Sequence, residues 1–109
     1  MLIYKILRAG EWAALCAAGR TAGSAADLAD GFVHFSTGAQ LAGTLARHFA
    51  GETGLVLLAC EAEGFGPALR WEPSRGGALF PHLHAELRLA DVLWRRGIDT
   101  GEDLDGLED

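Results

Sequence analysis

The sequence predicts a single α+β domain with a mainly antiparallel sheet and two main helices. Three observations carry that prediction. Strand-like and helix-like apolar spacings alternate over the first half of the chain, and strand-like runs follow one another over the second half. One run, "LVLLAC", is continuously apolar, as expected of a central strand covered on both faces. The 109 residues, half of them apolar, suffice for one buried core and hold neither repeats nor a low-complexity linker.

In order, "LIYKILR" (residues 2–8) reads as the first strand. "EWAALCAAG" places Trp12, Leu15 and Cys16 on one helical face, with Gly19 as the stop. Residues 20–30 read as a loop with one turn near "AADLAD". "GFVHFS" is a strand, and Thr37 followed by Gln40 forms a capping-box pattern ahead of the helix "AQLAGTLARHFA". Leu41, Leu45 and Phe49 make its apolar stripe, and His48 falls beside Leu41 on the wheel, half buried against the sheet. "GLVLLACE" is the central strand, and "ALRWEP" a short strand closed by Pro73 with Trp71 turned into the core. "SRGG" is a mobile loop, "LFPHLHAELRL" holds a strand after Pro81, and "DVLWRRG" is a last strand or short helix.

The net charge of −6 is concentrated at one end. Residues 97–109 carry six of the fifteen acids and no base, leaving nine acids against nine Lys and Arg in residues 1–96. The boundary therefore falls at 96, between a globular domain and a flexible acidic tail. Its "DLDG" echoes a calcium loop, but the chain ends before the required twelfth position. A neutral body offers no electrostatic footprint for DNA and disfavours RNA. No apolar run approaches the ~20 residues that cross a bilayer, and no leader pattern opens the chain, so a soluble cytoplasmic protein is expected. Cys16 and Cys60 lie in apolar runs without spaced partners and read as reduced core residues.

The candidate chemistry lies in two clusters. Along "GFVHFST", Phe32, His34 and Ser36 share one strand face, while Val33 and Phe35 share the other, apolar one. His34, Ser36, Thr37 and the following helix N-terminus would together suit a phosphate or nucleotide. The alternative is equally open: His34 bonds within the sheet and Thr37 only caps. The second cluster is "ALRWEPSRGGALFPHLH". Arg70 and Glu72 share a face, as a surface ion pair or as site residues; His82 and His84 share another, and Arg75 sits on the glycine-rich loop. A His82/His84/Glu86 metal site is the third reading, built on an H-x-H pair that resembles the start of a cupin motif. That motif's glutamate and its second half are missing, and no metal is assigned. No P-loop, nucleophile elbow or dinucleotide fingerprint is present.

"IYKI", "EWAALCAAG", "DGFVHFST", "ARHFAG", "LVLLACE", "LRWEPSRGGALFPHLH" and "LADV", in that order over residues 3–96, resemble the bacterial domain of unknown function 952 family. That family looks like a small relative of the ADP-ribosyltransferases, so the resemblance implies a split-sheet α+β fold that holds NAD in a cleft. It implies that His34 contacts a ribose or nicotinamide, with Ser36 or Thr37 beside it. Phe35 replaces the glycine usual in that superfamily, the stacking tyrosine has no mid-chain counterpart, and His84 stands where family members commonly have tyrosine. Glu72, in the family-typical "RWEP", is the better acid candidate than Glu86. The resemblance and the two residue clusters together give a catalytic set of His34, Glu72 and His82, with Ser36, Thr37, Arg70, Arg75 and His84 binding ligand. The reaction would stabilise an oxocarbenium-like ribose as nicotinamide leaves, with NAD as substrate and no resident cofactor firmly implied. A non-catalytic ligand-binding or interaction domain is the alternative.

Overall fold

A computed structural model of the chain describes residues 1–107. Strands β1 (Leu2–Leu7), β4 (Leu55–Glu61) and β8 (Val92–Ile98) form one sheet in the order β1-β4-β8. Strands β3 (Val33–His34), β6 (Leu79–Leu83) and β5 (Leu69–Pro73) form a second in the order β3-β6-β5, and β2 (Arg20–Thr21) pairs with β7 (Leu87–Arg88). Every one of these pairings is antiparallel. The helices are α1 (Ala9–Ala18), α2 (Ala25–Asp30) and α3 (Leu41–His48). The α+β class and the antiparallel sheet are therefore as the sequence predicts.

Period-two alternation explains how two cores form on one sheet. Ile3 and Leu7 of β1 join Leu58 and Cys60 of β4 on one face, under Leu15 of α1. Tyr4 and Ile6 join Leu57 and Ala59 on the other, under Leu41 of α3. The central strand β4 thus feeds both clusters, which is why its sequence is continuously apolar. Each such fully buried side chain contributes about 1.5–3 kcal/mol. Val33 and Phe35 belong to the cluster beneath α1.

The local stops and starts follow from side-chain chemistry. Gly19 ends α1 in the left-handed conformation at φ 79°, as its sequence position predicts. Thr37 and Gln40 form the expected reciprocal cap, Gln40 N–H donating to Thr37 Oγ1 and Thr37 N–H to Gln40 Oε1. A turn of 3-10 helix, Gly38–Gln40, intervenes before α3. Residues 25–30 are a helix, not a loop with one turn, because Ser24 and Asp27 cap its start reciprocally. Strand β6 starts at Leu79 and contains Pro81, whose carbonyl accepts from Phe35 N–H at 2.9 Å. Residues 92–98 resolve as strand, not helix.

Several burial expectations are corrected. Cys16 is exposed, because α1 buries only Leu15 among its residues; Cys60 is buried as expected. Trp71 is 39% exposed, although Leu69, two residues before it on the same face of β5, packs against the cluster beneath α1. His48 is exposed at the last turn of α3. The chain also keeps packing past residue 96: Ile98 is buried, and Leu104 and Leu107 lie against the cluster beneath α3. Asp103 accepts from the N–H groups of Asp99 and Thr100, closing a 3-10 turn at Gly101–Leu104. Glu108 and Asp109, the last two acids of the predicted tail, lie outside the described residues.

Among the described residues, no helix is long and apolar enough to cross a membrane. The two larger sheets meet where Tyr4 and Ser36 exchange backbone hydrogen bonds of 2.8 and 2.9 Å. That junction opens onto a cavity.

Candidate functional site

The cavity has a volume of about 420 Å³, within the size range of small-molecule sites. Tyr4 and Lys5 of β1, Asp27 and Asp30 of α2, and His34 and Ser36 line one side. Thr44, Arg47 and His48 of α3 face them, and Ser74, Arg75, Phe80 and His82 close the remaining wall.

The deepest ionic contacts begin at β1. Ile3, Lys5 and Leu7 share a strand face, so Lys5 occupies an otherwise apolar position and is 7% exposed. A buried ammonium needs a counter-charge. Asp27, 1% exposed, supplies it with Oδ2 at 2.7 Å from Lys5 Nζ. The same carboxylate accepts from Ser24 N–H at 2.9 Å and from His34 N–H at 3.1 Å, and its Oδ1 also meets His34 Nδ1. Burial alone would raise the Asp27 pKa, but the His34 hydrogen bond and the Lys5 charge outweigh it and hold the carboxyl well below its usual range. His34 Nε2 lies 3.0 Å from Asp30, so both ring nitrogens face carboxylates and the ring is fixed.

A second network runs along the β3-β6-β5 sheet. Antiparallel register puts His34, His82 and Arg70 in one row, and paired residues share a face. Glu72 Oε1 receives both His82 Nδ1 at 2.9 Å and His84 Nε2 at 2.8 Å. These bonds, that of His84 foremost, lower the Glu72 pKa. Phe32 stacks on the two imidazoles, with centroids 4.1 Å from His82 and 5.1 Å from His84. Burial pushes the His82 pKa down, against the smaller opposing pull of Glu72. Its Nε2 is buried and has no hydrogen-bond partner among the described residues.

The structure brings His34, Ser36, Arg75 and His82 to the cavity wall and leaves Thr37, Arg70, Glu72 and His84 out of it. Thr37 spends its hydroxyl on the helix cap. Arg70 is exposed on β5. Glu72 reaches the cavity only through His82. Ser36 Oγ is 2.8 Å from Thr44 Oγ1, which ties the strand to α3. His82 and His84 both turn to Glu72, while Glu86 lies 3.8 Å from Arg20, and no three acidic, His or Cys side chains converge on a metal position among the described residues.

Lys5, Asp27, Asp30, Thr44 and Arg47 are wall residues that the sequence reading passed over. Two of them leave a trace. The S-x-x-D spacing of Ser24 and Asp27 is a capping box, and a lysine at an apolar-face position of a strand demands a buried partner. Arg47 leaves none, since an exposed-face arginine on a helix looks like any other.

The charges around the cavity are unevenly compensated. Arg8 is bonded to Glu52 at 2.8 and 2.9 Å, and Lys5 to Asp27. Arg47 and Arg75 have no carboxylate partner among the described residues; Arg75 rests over the Phe80 ring, 5.0 Å from its centroid. Burial first, then Arg75 and Arg47, lowers the His48 pKa beside them. This wall can hold an anion.

The family model described as "Protein of unknown function (DUF952)" matches residues 6–95, and the chain belongs to that family. It is similar to protein CC0527 from Caulobacter crescentus, whose crystal structure aligns with a TM-score of 0.88 at 49% identity, covering 95% of this chain and 98% of that one. The solution NMR structure of CC0527 aligns with a TM-score of 0.83 at 53% identity, covering 94% and 88%. No curated protein matches the chain.

Proposed function

We propose that this chain binds a phosphorylated, nucleotide-sized metabolite in the cavity between β1, α3 and the Ser74–Arg75 turn. One observation carries the reading: Arg47 and Arg75 stand on the wall of a cavity of about 420 Å³ without a carboxylate partner among the described residues. Guanidinium groups donate in a fork that matches phosphate oxygens, and a concave wall strengthens their field. Tyr4, Phe35, Phe49 and Phe80 supply the apolar lining that a base or sugar ring needs beside its phosphates.

NAD is the member of this class that the ADP-ribosyltransferase resemblance selects, with loss of nicotinamide as the reaction. The position of His34 at the cavity supports that form. Both of its ring nitrogens are taken, so a ligand would contact it by displacing the exposed Asp30 carboxylate. Glu72, the acid expected from the sequence, would act by holding His82 and would not touch the ribose itself.

Titration of ¹⁵N-labelled protein with NAD and with inorganic phosphate tests the reading. Amide shifts should concentrate at residues 34–36, 44–48 and 74–82 and should weaken with added salt. Arg47→Ala and Arg75→Ala should each reduce affinity while leaving the melting temperature near that of the wild type. Absence of shifts with both ligands at millimolar concentration overturns the proposal. Shifts with NAD, followed by release of nicotinamide, establish its catalytic form.

A further inference from the structure

We infer that His82 Nε2 is a hydrogen-bond acceptor for a hydroxyl of the bound ligand, and that Glu72 is the positioning residue that makes it one. The inference rests on the reading that the cavity holds a phosphorylated ligand, and it adds a second required feature: a sugar or polyol hydroxyl.

The reasoning starts from Glu72. An ionised carboxylate has no proton to give, so the 2.9 Å contact places the proton on His82 Nδ1. The ring cannot turn away from this arrangement. Phe32 stacks on one face at 4.1 Å, and the side chain is 5% exposed. Burial favours the neutral imidazole. A neutral ring protonated at Nδ1 carries a lone pair at Nε2, which is the atom left buried and unpartnered.

Native structures rarely leave such an atom unpaired; it is met by an ordered water, an ion or a ligand group. His82 is part of the cavity wall and its Nε2 is closed to water in the ligand-free protein, so a ligand that displaces the side chains covering it can supply that partner. The dianion of a phosphate monoester, its main form at pH 7, cannot, because its oxygens only accept and Nε2 also accepts. A hydroxyl can. On a phosphorylated metabolite, the hydroxyls of the sugar are the donors that lie next to the phosphate. The wall therefore reads two features, an anion at Arg47 and Arg75 and a hydroxyl at His82. His84 Nε2 shares the same Glu72 oxygen at 2.8 Å and holds the carboxylate in place.

The test compares ribose 5-phosphate with cyclopentylmethyl phosphate, which keeps the ring and the phosphate and has no hydroxyl. With the wild-type protein, ribose 5-phosphate should bind at least ~10-fold more tightly, the worth of one hydrogen bond to a buried acceptor. In Glu72→Gln the side-chain amide can donate to Nδ1 and move the proton to Nε2, so the preference should collapse to about 2-fold or less. The imidazole ¹⁵N spectrum of the ligand-free wild type should show His82 protonated at Nδ1 alone. Equal affinity for the two phosphates overturns this inference and leaves the anion site standing. A proton on Nε2 in the wild-type spectrum does the same. If neither compound nor inorganic phosphate binds, the anion site falls and this inference falls with it.

Discussion

Asp27→Asn is the perturbation that best separates a structural ion pair from an incidental contact. Asparagine keeps the shape of the side chain and one acceptor, but it removes the charge that faces Lys5 Nζ at 2.7 Å. The Lys5 ammonium is only 7% exposed, so it would be left largely buried and without its counter-charge. Removing one partner of such a pair costs about 3–5 kcal/mol. In a domain of this size 1 kcal/mol moves the melting temperature by about 4–8 °C, so the expected drop is roughly 12–40 °C. Thermal and urea unfolding followed by circular dichroism at pH 7 measure it. Lys5→Met, combined with Asp27→Asn, removes the orphaned charge, and the double variant should be more stable than Asp27→Asn alone. The pH dependence fixes the sign. The folded Asp27 pKa is depressed, so its contribution is full above the unfolded carboxylate value of about 3.9 and is lost as pH falls through the lower folded value. The gap between wild type and Asp27→Asn should therefore be constant from pH 7 to 5 and close below about pH 4. An Asp27→Asn protein within about 0.5 kcal/mol of wild type at pH 7 would refute the reasoning.

Gly23 has φ 108°, and a Cβ there would fall on the Asp27 carboxylate, so Gly23→Ala should destabilise by more than about 1 kcal/mol in urea unfolding. An alanine variant as stable as wild type would contradict the placement of Asp27. The thiols should differ sharply towards a thiol reagent in native buffer. Cys16 is exposed and should label at once, whereas Cys60, buried with its pKa pushed up to about 12, should label only on unfolding. Burial lowers the folded His82 pKa, so the unfolded chain binds the proton first as pH falls. The stability that His82 contributes is full above about pH 6.5 and declines as pH drops from there towards the lower folded value. His82→Gln should flatten the urea midpoint between pH 7 and 5, and an unchanged slope would remove that assignment.

The parts of the fold that were legible in the sequence are those in which local chemistry and tertiary packing agree. Gly19, the Thr37–Gln40 cap and the continuous apolar run of β4 each specify their element without help from distant residues. The misreadings lie where burial depends on what happens to cover a face. Cys16 sits beside Leu15 in an apolar run, yet α1 touches the sheet along a narrow line and only Leu15 is buried. Trp71 looks like a core residue by composition, but on its face of β5 the core reaches Leu69 and leaves Trp71 39% exposed. The boundary at residue 96 follows charge, whereas packing continues because Ile98, Leu104 and Leu107 are apolar among acids.

At the site, sequence spacing places residues on faces but leaves them without partners. The H-x-H pair was visible, and its common acceptor was also visible in "RWEP", but the antiparallel register of β5 and β6 is what puts Glu72 within 3 Å of both histidines. Lys5 on β1 and Asp27 on α2 are far apart in the chain and meet only in the fold, where Nζ lies 2.7 Å from Oδ2. Charge shows the same limit. The chain is acidic by six, yet the cavity wall carries two guanidinium groups without a carboxylate partner among the described residues. Net charge sums over the whole surface, whereas a ligand feels the groups within about a Debye length, some 8–10 Å, and most strongly in a concavity. An acidic protein can therefore hold an anion, provided that its acids are spent elsewhere. Here Glu52 is spent on Arg8, Asp27 on Lys5 and Glu72 on His82 and His84. What those pairings leave unspent, Arg47, Arg75 and His82 Nε2, is the part of the molecule with binding capacity still to use.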